Sequence, residues 1–89
     1  MSAEPEITLR YFAWVREKIG RGEERLALPA GLKTVADVLV WQSTRGPEFE
    51  DAFGKPGIIR TAIDRRHVKS TAPIDGAHEI AFFPPVTGG

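Results

Sequence analysis

The sequence predicts a single α+β domain, a small mixed β-sheet with helices packed on one face. Three observations predict it. Segments that alternate apolar and polar residues are interleaved with short stretches of helical periodicity. Their order over the 89 residues is strand, helix, strand, helix, strand, strand, strand, which is neither a strict βα repeat nor an all-β run. A hydrophobic fraction of 42% and a charged fraction of 27% are those of an ordinary soluble globular chain, and a chain this short buries about 60–65% of its unfolded surface.

Residues 1–5 form a polar lead. Ile7, Leu9 and Tyr11 alternate with Thr8, Arg10 and Phe12, the period of a strand with one buried face. Ala13 to Ile19 reads as a short helix with Gly20 as its stop. Arg21-Gly22 turns the chain into a second short strand, Glu24 to Leu28, closed by Pro29 and Gly31. Thr34 is the best helix start, because Asp37 three residues on gives a capping box with Asp in place of the usual Glu or Gln. Val35, Val38 and Leu39 then make an inward stripe, with Val40 and Trp41 off its centre. Gly46-Pro47 is expected to end this helix. Glu48 to Asp51, with Phe49 and Phe53, reads as a loop or short helical turn, and Gly54-Lys55-Pro56-Gly57 as a turn. Ile58 to Ile63 is a β-branched strand, tied by Asp64-Arg65-Arg66 to His67-Val68-Lys69-Ser70. Pro73 and Asp75-Gly76 mark turns. Glu79 to Phe83 is the last strand and must stop at Pro84, which has no N–H to give a sheet. Residues 1–83 are thus the domain. Residues 84–89 are an extended tail, stiffened by Pro84-Pro85 and able to reach about 20 Å.

Twelve basic and twelve acidic residues cancel, so no net field draws the chain to nucleic acid or to a membrane. The N-terminus lacks the charged-then-apolar pattern of a signal peptide, and no apolar run approaches the ~18 residues of a membrane span. The expected location is the cytoplasm. Cysteine is absent, which excludes disulfides, thiolate metal sites and cysteine nucleophiles. If the chain carries sulfur, the C-terminal carboxylate is the natural place.

His67 and His78 are the only histidines, and neither has a partner at metal-ligand spacing; both read as surface residues in turns, and no metal is expected. Ser43 and Ser70 lack the context of an activated nucleophile, and the glycines make no phosphate-binding motif. Arg60, Arg65, Arg66, His67 and Lys69 form a local basic patch. It reads either as a docking surface for an acidic partner or an RNA, or as a solvated hairpin edge where positive charge discourages edge pairing; the second reading is the simpler. Phe82 and Phe83 point to opposite faces of their strand. One fills the core. The other is either exposed with Pro84 and Val86 as an apolar contact patch or covered by a second layer.

The remaining candidate is the end of the chain, Pro84-Pro85-Val86-Thr87-Gly88-Gly89. Glycine has no Cβ, so a Gly-Gly end can thread a narrow channel and present a carboxylate there. That carboxylate is ionised at neutral pH and a poor electrophile. Its use requires activation by ATP to an acyl-adenylate, from which a sulfur donor displaces AMP to leave a thiocarboxylate. The sequence holds no nucleotide motif, so a separate enzyme must activate it.

The segment Phe82-Phe83-Pro84-Pro85-Val86-Thr87-Gly88-Gly89 resembles the C-terminal signature of the small subunit of molybdopterin synthase, the MoaD family. Tyr11-Phe12-Ala13-Trp14-Val15-Arg16-Glu17, Thr34-Val35, and Asp75-Gly76 followed by Glu79-Ile80-Ala81 add to the resemblance, which runs from Ile7 to Gly89. It implies a ubiquitin-like β-grasp fold. It implies that Gly89 is adenylated by an E1-like, ATP-dependent enzyme and converted to a thiocarboxylate. Phe83, Pro84, Pro85, Val86, Thr87 and Gly88 would enter the large subunit of a heterotetramer, where the sulfur passes to precursor Z (cyclic pyranopterin monophosphate) to build the molybdopterin dithiolene. The chain would be a sulfur donor that binds no cofactor and is not catalytic alone. Trp41 and the Arg65-Arg66 turn have no meaning within this resemblance. Three other readings stay open: a sulfur carrier of the thiamine type, in which the Phe-Phe-Pro-Pro-Val-Thr approach is not expected; a ubiquitin-like modifier joined to lysines of other proteins; and a binding module that uses the basic hairpin.

Overall fold

The computed structural model describes residues 5–85. Along them run β1 (Ile7–Tyr11), α1 (Ala13–Ile19), β2 (Glu23–Leu26), α2 (Val35–Ser43), α3 (Pro47–Phe53), a 3-10 turn (Pro56–Ile58), β3 (Arg60–Ile63), β4 (Arg66–Val68) and β5 (Glu79–Phe83). The five strands form one sheet in the order β2-β1-β5-β3-β4. β1 is antiparallel to β2 and parallel to β5, and β3 is antiparallel to both β4 and β5. The sheet is therefore mixed, with the first and last strands adjacent at its centre. This is the ubiquitin-like β-grasp arrangement.

Period-2 patterning gives the sheet two unlike faces. Ile7, Leu9 and Tyr11 of β1 and Ile80 and Phe82 of β5 are buried, and they share one apolar core with Val15 and Ile19 of α1, Val35, Val38 and Leu39 of α2, and Phe49, Ala52 and Phe53 of α3. Helix α1 stops at Gly20, whose φ of +90° suits a residue without a Cβ and whose N–H donates to the Arg16 carbonyl. Helix α2 opens with the expected capping box: the Asp37 N–H donates to Thr34 Oγ1 at 3.3 Å, and the Thr34 N–H donates to Asp37 Oδ2 at 3.1 Å. The Lys33 N–H adds a bond of 2.9 Å to the same oxygen. The loop after β4 supplies further partners for this helix end, because the carbonyls of Ala72 and Ser70 accept from the N–H groups of Val35 and Ala36.

Four expectations need correction. Gly46-Pro47 does not end the second helix, which stops at Ser43 with Thr44 as its cap; it starts α3, with Gly46 at φ +148° as N-cap and Pro47 in the first turn. Proline lacks only an N–H that is unpaired there in any case. The acidic stretch after it is a true helix, α3, because Phe49, Ala52 and Phe53 fall on one face and close the core from below α2. The third strand begins at Arg60 rather than Ile58, and the second spans Glu23–Leu26 rather than Glu24 to Leu28.

The core is aromatic at its middle. The Phe82 ring lies 5.7 Å from Tyr11 in a stacked arrangement and 5.2 Å from Phe53 edge-on. Tyr11 carries a polar network that enters this core. Its hydroxyl donates to Glu24 Oε1 at 2.6 Å and accepts from Gln42 Nε2 at 2.9 Å. Arg45 closes the network with bonds of 2.6 and 3.0 Å to the two Glu24 oxygens and 2.8 Å to Gln42 Oε1. The hydrogen bond from Arg45 holds Glu24 below the usual carboxylate range, and burial pushes the Tyr11 phenol well above its ordinary value. The Arg45 guanidinium also stacks on Trp41 at 4.8 Å and Phe49 at 4.2 Å, which gives Trp41 its place. Gln42 is fully buried. Tyr11→Phe would leave its amide without an acceptor, and we expect a loss of about 1–3 kcal/mol. Urea unfolding of the two proteins measures this; an unchanged midpoint would show that the network adds nothing.

Candidate functional site

The site is built where β5 ends. This strand lies between β1 and β3, so its backbone is paired on both sides from Ile80 to Phe82, and Phe83 pairs with β3 alone. The Phe12 N–H donates to the Phe82 carbonyl at 3.1 Å, and Arg60 stands opposite Phe83 in the β3 register. Pro84 and Pro85 follow without sheet pairing, each half-buried. Of the expected site residues, the structure thus places Phe83, Pro84 and Pro85 together; Val86, Thr87, Gly88 and Gly89 lie outside the described residues, as does most of the 84–89 tail.

Phe82 is the core member of the aromatic pair, and Phe83 points to the other face, where it is half-buried. Cross-strand partners share a face, so the register puts Thr8, Arg10, Ala62 and Ala81 beside Phe83 on this helix-free side. The His67 ring lies 5.1 Å from the Phe83 ring. Phe12 is 41% exposed and flanks the same exit, with the Arg10 guanidinium 5.5 Å over its ring. Arg10 is held by long ion pairs of 3.9 Å to Glu23 and 3.8 Å to Glu79. The result is an apolar patch of Phe12, Phe83 and the two prolines, edged by Arg10, Arg60 and His67. Ala13, next to Phe12, sits at φ +53°, a conformation that costs a residue with a Cβ about 1–2 kcal/mol. Phe12 and Arg10 were missed as site residues by sequence reading, and Arg60 was read only as part of the hairpin's basic patch. The period of β1 marks Phe12 and Arg10 as outward-facing, but nothing local says that β5 will lie beside them.

The histidines divide. His78 lies in a bend before β5, as expected. His67 is not in a turn but on strand β4, exposed. Among the described residues no group of three His, Cys, Asp or Glu side chains is placed to hold a metal, and no helix is long and apolar enough to cross a membrane. The basic patch is the β3–β4 hairpin itself. Its two turn residues, Asp64 and Arg65, have φ of +48° and +71°, the left-handed pair that a tight two-residue hairpin requires. Asp64 holds the turn against β5: its Oδ1 accepts from the N–H groups of His78 and Glu79, both at 2.9 Å, while its own N–H donates to the Glu79 carbonyl.

The strand order and mixed pairing define the chain as a ubiquitin-like β-grasp protein. The chain belongs to the ThiS family, whose sequence model matches residues 9–89. It is 31% identical over 83 residues to the molybdopterin synthase sulfur carrier subunit of Escherichia coli, covering 93% of this chain and 99% of that protein. Among solved structures it is similar to SAMP1 from Haloferax volcanii, with a TM-score of 0.69 and 27% identity over 96% of this chain and all of that one. The small archaeal modifier protein 1 of Methanosarcina acetivorans shares the fold, with a TM-score of 0.53 and 23% identity over 99% of this chain and 100% of that one.

The Asp64 bonds carry a pH dependence. The backbone N–H groups of Glu79 and His78 hold its carboxyl below the ordinary range. A carboxyl with a lowered folded pKa adds stability above its unfolded pKa, about 4, and loses it as pH falls through the folded value. Asp64→Asn is therefore expected to melt below the parent at pH 7, with the gap closing toward pH 3. Thermal melts at both pH values measure it; a gap that stays constant would show that the charge plays no part.

Proposed function

We propose that this chain is the sulfur-carrier small subunit of a molybdopterin synthase. The observation that carries the reading is the match to 99% of the Escherichia coli subunit at 31% identity. The apolar patch around the end of β5 supports it, since a partner that receives a tail must also grip the domain from which the tail leaves. In this reading Gly89 is the reacting residue. Its carboxylate attacks the α-phosphate of ATP on a separate E1-like enzyme, giving the acyl-adenylate and pyrophosphate. Sulfur from a donor then displaces AMP, and the thiocarboxylate remains. Phe83 and Pro84 to Gly88 seat the tail in the large subunit, where the sulfur passes to precursor Z. A dithiolene holds two sulfurs, and each carrier delivers one, so two charged carriers are consumed per product. That stoichiometry fits a heterotetramer with two small subunits.

The test is the intact mass of the chain after incubation with cell extract, ATP and a sulfur donor. A gain equal to one sulfur replacing one oxygen, localised to Gly89, is expected. An unchanged mass in an active extract would refute the carrier chemistry. Deleting Gly89 is expected to abolish the gain and leave the melting temperature within about 1 °C, because the core is complete without it. Phe83→Ala is expected to weaken binding to the large subunit about tenfold, or about 1.4 kcal/mol, with a smaller loss of folding stability. Equal losses in both would make Phe83 a packing residue only.

The similarity to SAMP1 of Haloferax volcanii favours a second reading, a protein modifier whose adenylate is captured by lysine amines. Isopeptide-linked adducts of this chain in cells, found by mass spectrometry of tryptic digests, would establish it; their absence alongside thiocarboxylate would leave sulfur transfer alone.

A further inference from the structure

The corner between β1 and α1 breaks two local rules in adjacent residues. Strand β1 ends at Tyr11 and α1 starts at Ala13, so Phe12 alone joins them. Phe12 is the N-cap of α1, a position where Ser, Thr, Asp or Asn would accept from a free N–H, and its side chain makes no such bond. Ala13 follows at φ +53°. Among the described residues, the other positions of positive φ are four glycines and the hairpin turn Asp64-Arg65. Ala13 is exposed, so its methyl group fills no core space that would offset the strain. Glycine takes such a conformation freely, as Gly20 does at the other end of this helix. Both choices cost stability and neither serves the core. Departures of this kind persist where they serve a site.

What the corner holds is Phe12. Its N–H donates to the Phe82 carbonyl at 3.1 Å, and its own carbonyl accepts from the N–H groups of Val15 at 3.1 Å and Arg16 at 3.3 Å. Its backbone is thus tied to β5 on one side and to α1 on the other. Its ring stays 41% exposed beside the end of β5, with the Arg10 guanidinium over it. We propose that Ala13 is a positioning residue, whose left-handed turn fixes the direction in which the Phe12 ring meets a partner. This rests on the carrier reading, in which a large subunit grips the domain as it receives the tail. The methyl group does what a hydrogen cannot. It bars most of the backbone conformations open to glycine, so the corner is already ordered when the partner arrives and no ordering cost falls on binding.

The test compares the full chain with Ala13→Gly and with Ala13→D-Ala, the latter made by ligating synthetic segments. Glycine removes the strain and the restraint together. D-Alanine removes the strain and keeps the restraint, since positive φ is its natural region. The melting temperature is expected to rise by about 2–6 °C for glycine and further for D-alanine. Affinity for the large subunit, measured by calorimetry, should fall roughly fivefold for glycine and match the parent for D-alanine. The Phe12 amide proton should exchange about fivefold faster in the glycine variant than in the other two proteins. A role in folding alone would raise stability and leave affinity untouched in both variants, and that result overturns the proposal. So does equal Phe12 exchange in all three proteins, or a glycine variant that melts below the parent. Phe12→Ala is expected to lose at least as much affinity as Ala13→Gly, and a smaller loss would also count against it. A parent that does not bind the large subunit refutes the carrier reading instead; exchange and melting then decide the corner by themselves.

Discussion

The parallel pairing of β1 with β5 is the constraint on which the rest depends. A parallel pair needs a crossover of a dozen or more residues, and here everything between Phe12 and His78 serves as one. The intervening helices cover one face of the pair, and the β3–β4 hairpin closes its far side. Because β5 is central, its backbone is satisfied by two neighbours along its length. Phe83, at its end, is therefore the last point held by sheet pairing before Pro84. In the proposed function the tail reacts, and a central strand gives it a firmer origin than an edge strand would.

The second requirement is that a small core hold this arrangement. Tyr11, Phe82 and Phe53 fill its middle, and the Tyr11 hydroxyl draws a polar network inward from β2 and α2. Each buried member of the network has a partner, so it fixes the helix layer on the sheet without leaving an unsatisfied group. Arg45 does two jobs there. Its forked donors meet the Glu24 carboxylate, and its flat faces meet Trp41 and Phe49. Lysine could do neither, having one point charge and no planar group.

The two faces of the sheet divide the labour. The helix side is committed to stability. The helix-free side carries small, buried residues, Ala62 and Ala81, between Arg10, Arg60 and the half-buried Phe83, next to the end of β5. Charge is sorted in the same way. Most cations near the sheet centre are ion-paired, whereas those of the hairpin are left for solvent or partners, and the one acid of the turn, Asp64, is spent on backbone N–H groups.

Much of this was legible in the chain. The alternation of Ile7, Leu9 and Tyr11, the stop at Gly20, the Thr34–Asp37 box and the barrier at Pro84 are local signals, set by side-chain period and backbone sterics, and each holds in the fold. Glu48 to Phe53 misled because its acidic residues hide a helical spacing of Phe49, Ala52 and Phe53, and because a Gly-Pro pair can start a helix as well as end one. Gln42 and Arg45 gave no signal, since a buried amide is recognised only by the Tyr11 hydroxyl waiting 31 residues away. The sequence by itself determined most of the elements and the family to which they belong. Only the tertiary structure decided that Phe12, Arg10 and Arg60 surround the end of β5, and that Gln42 and Arg45 meet the Tyr11 hydroxyl and Glu24. Both depend on which strands pair, and strand pairing is a long-range choice, made by the shared core rather than by any local run of residues.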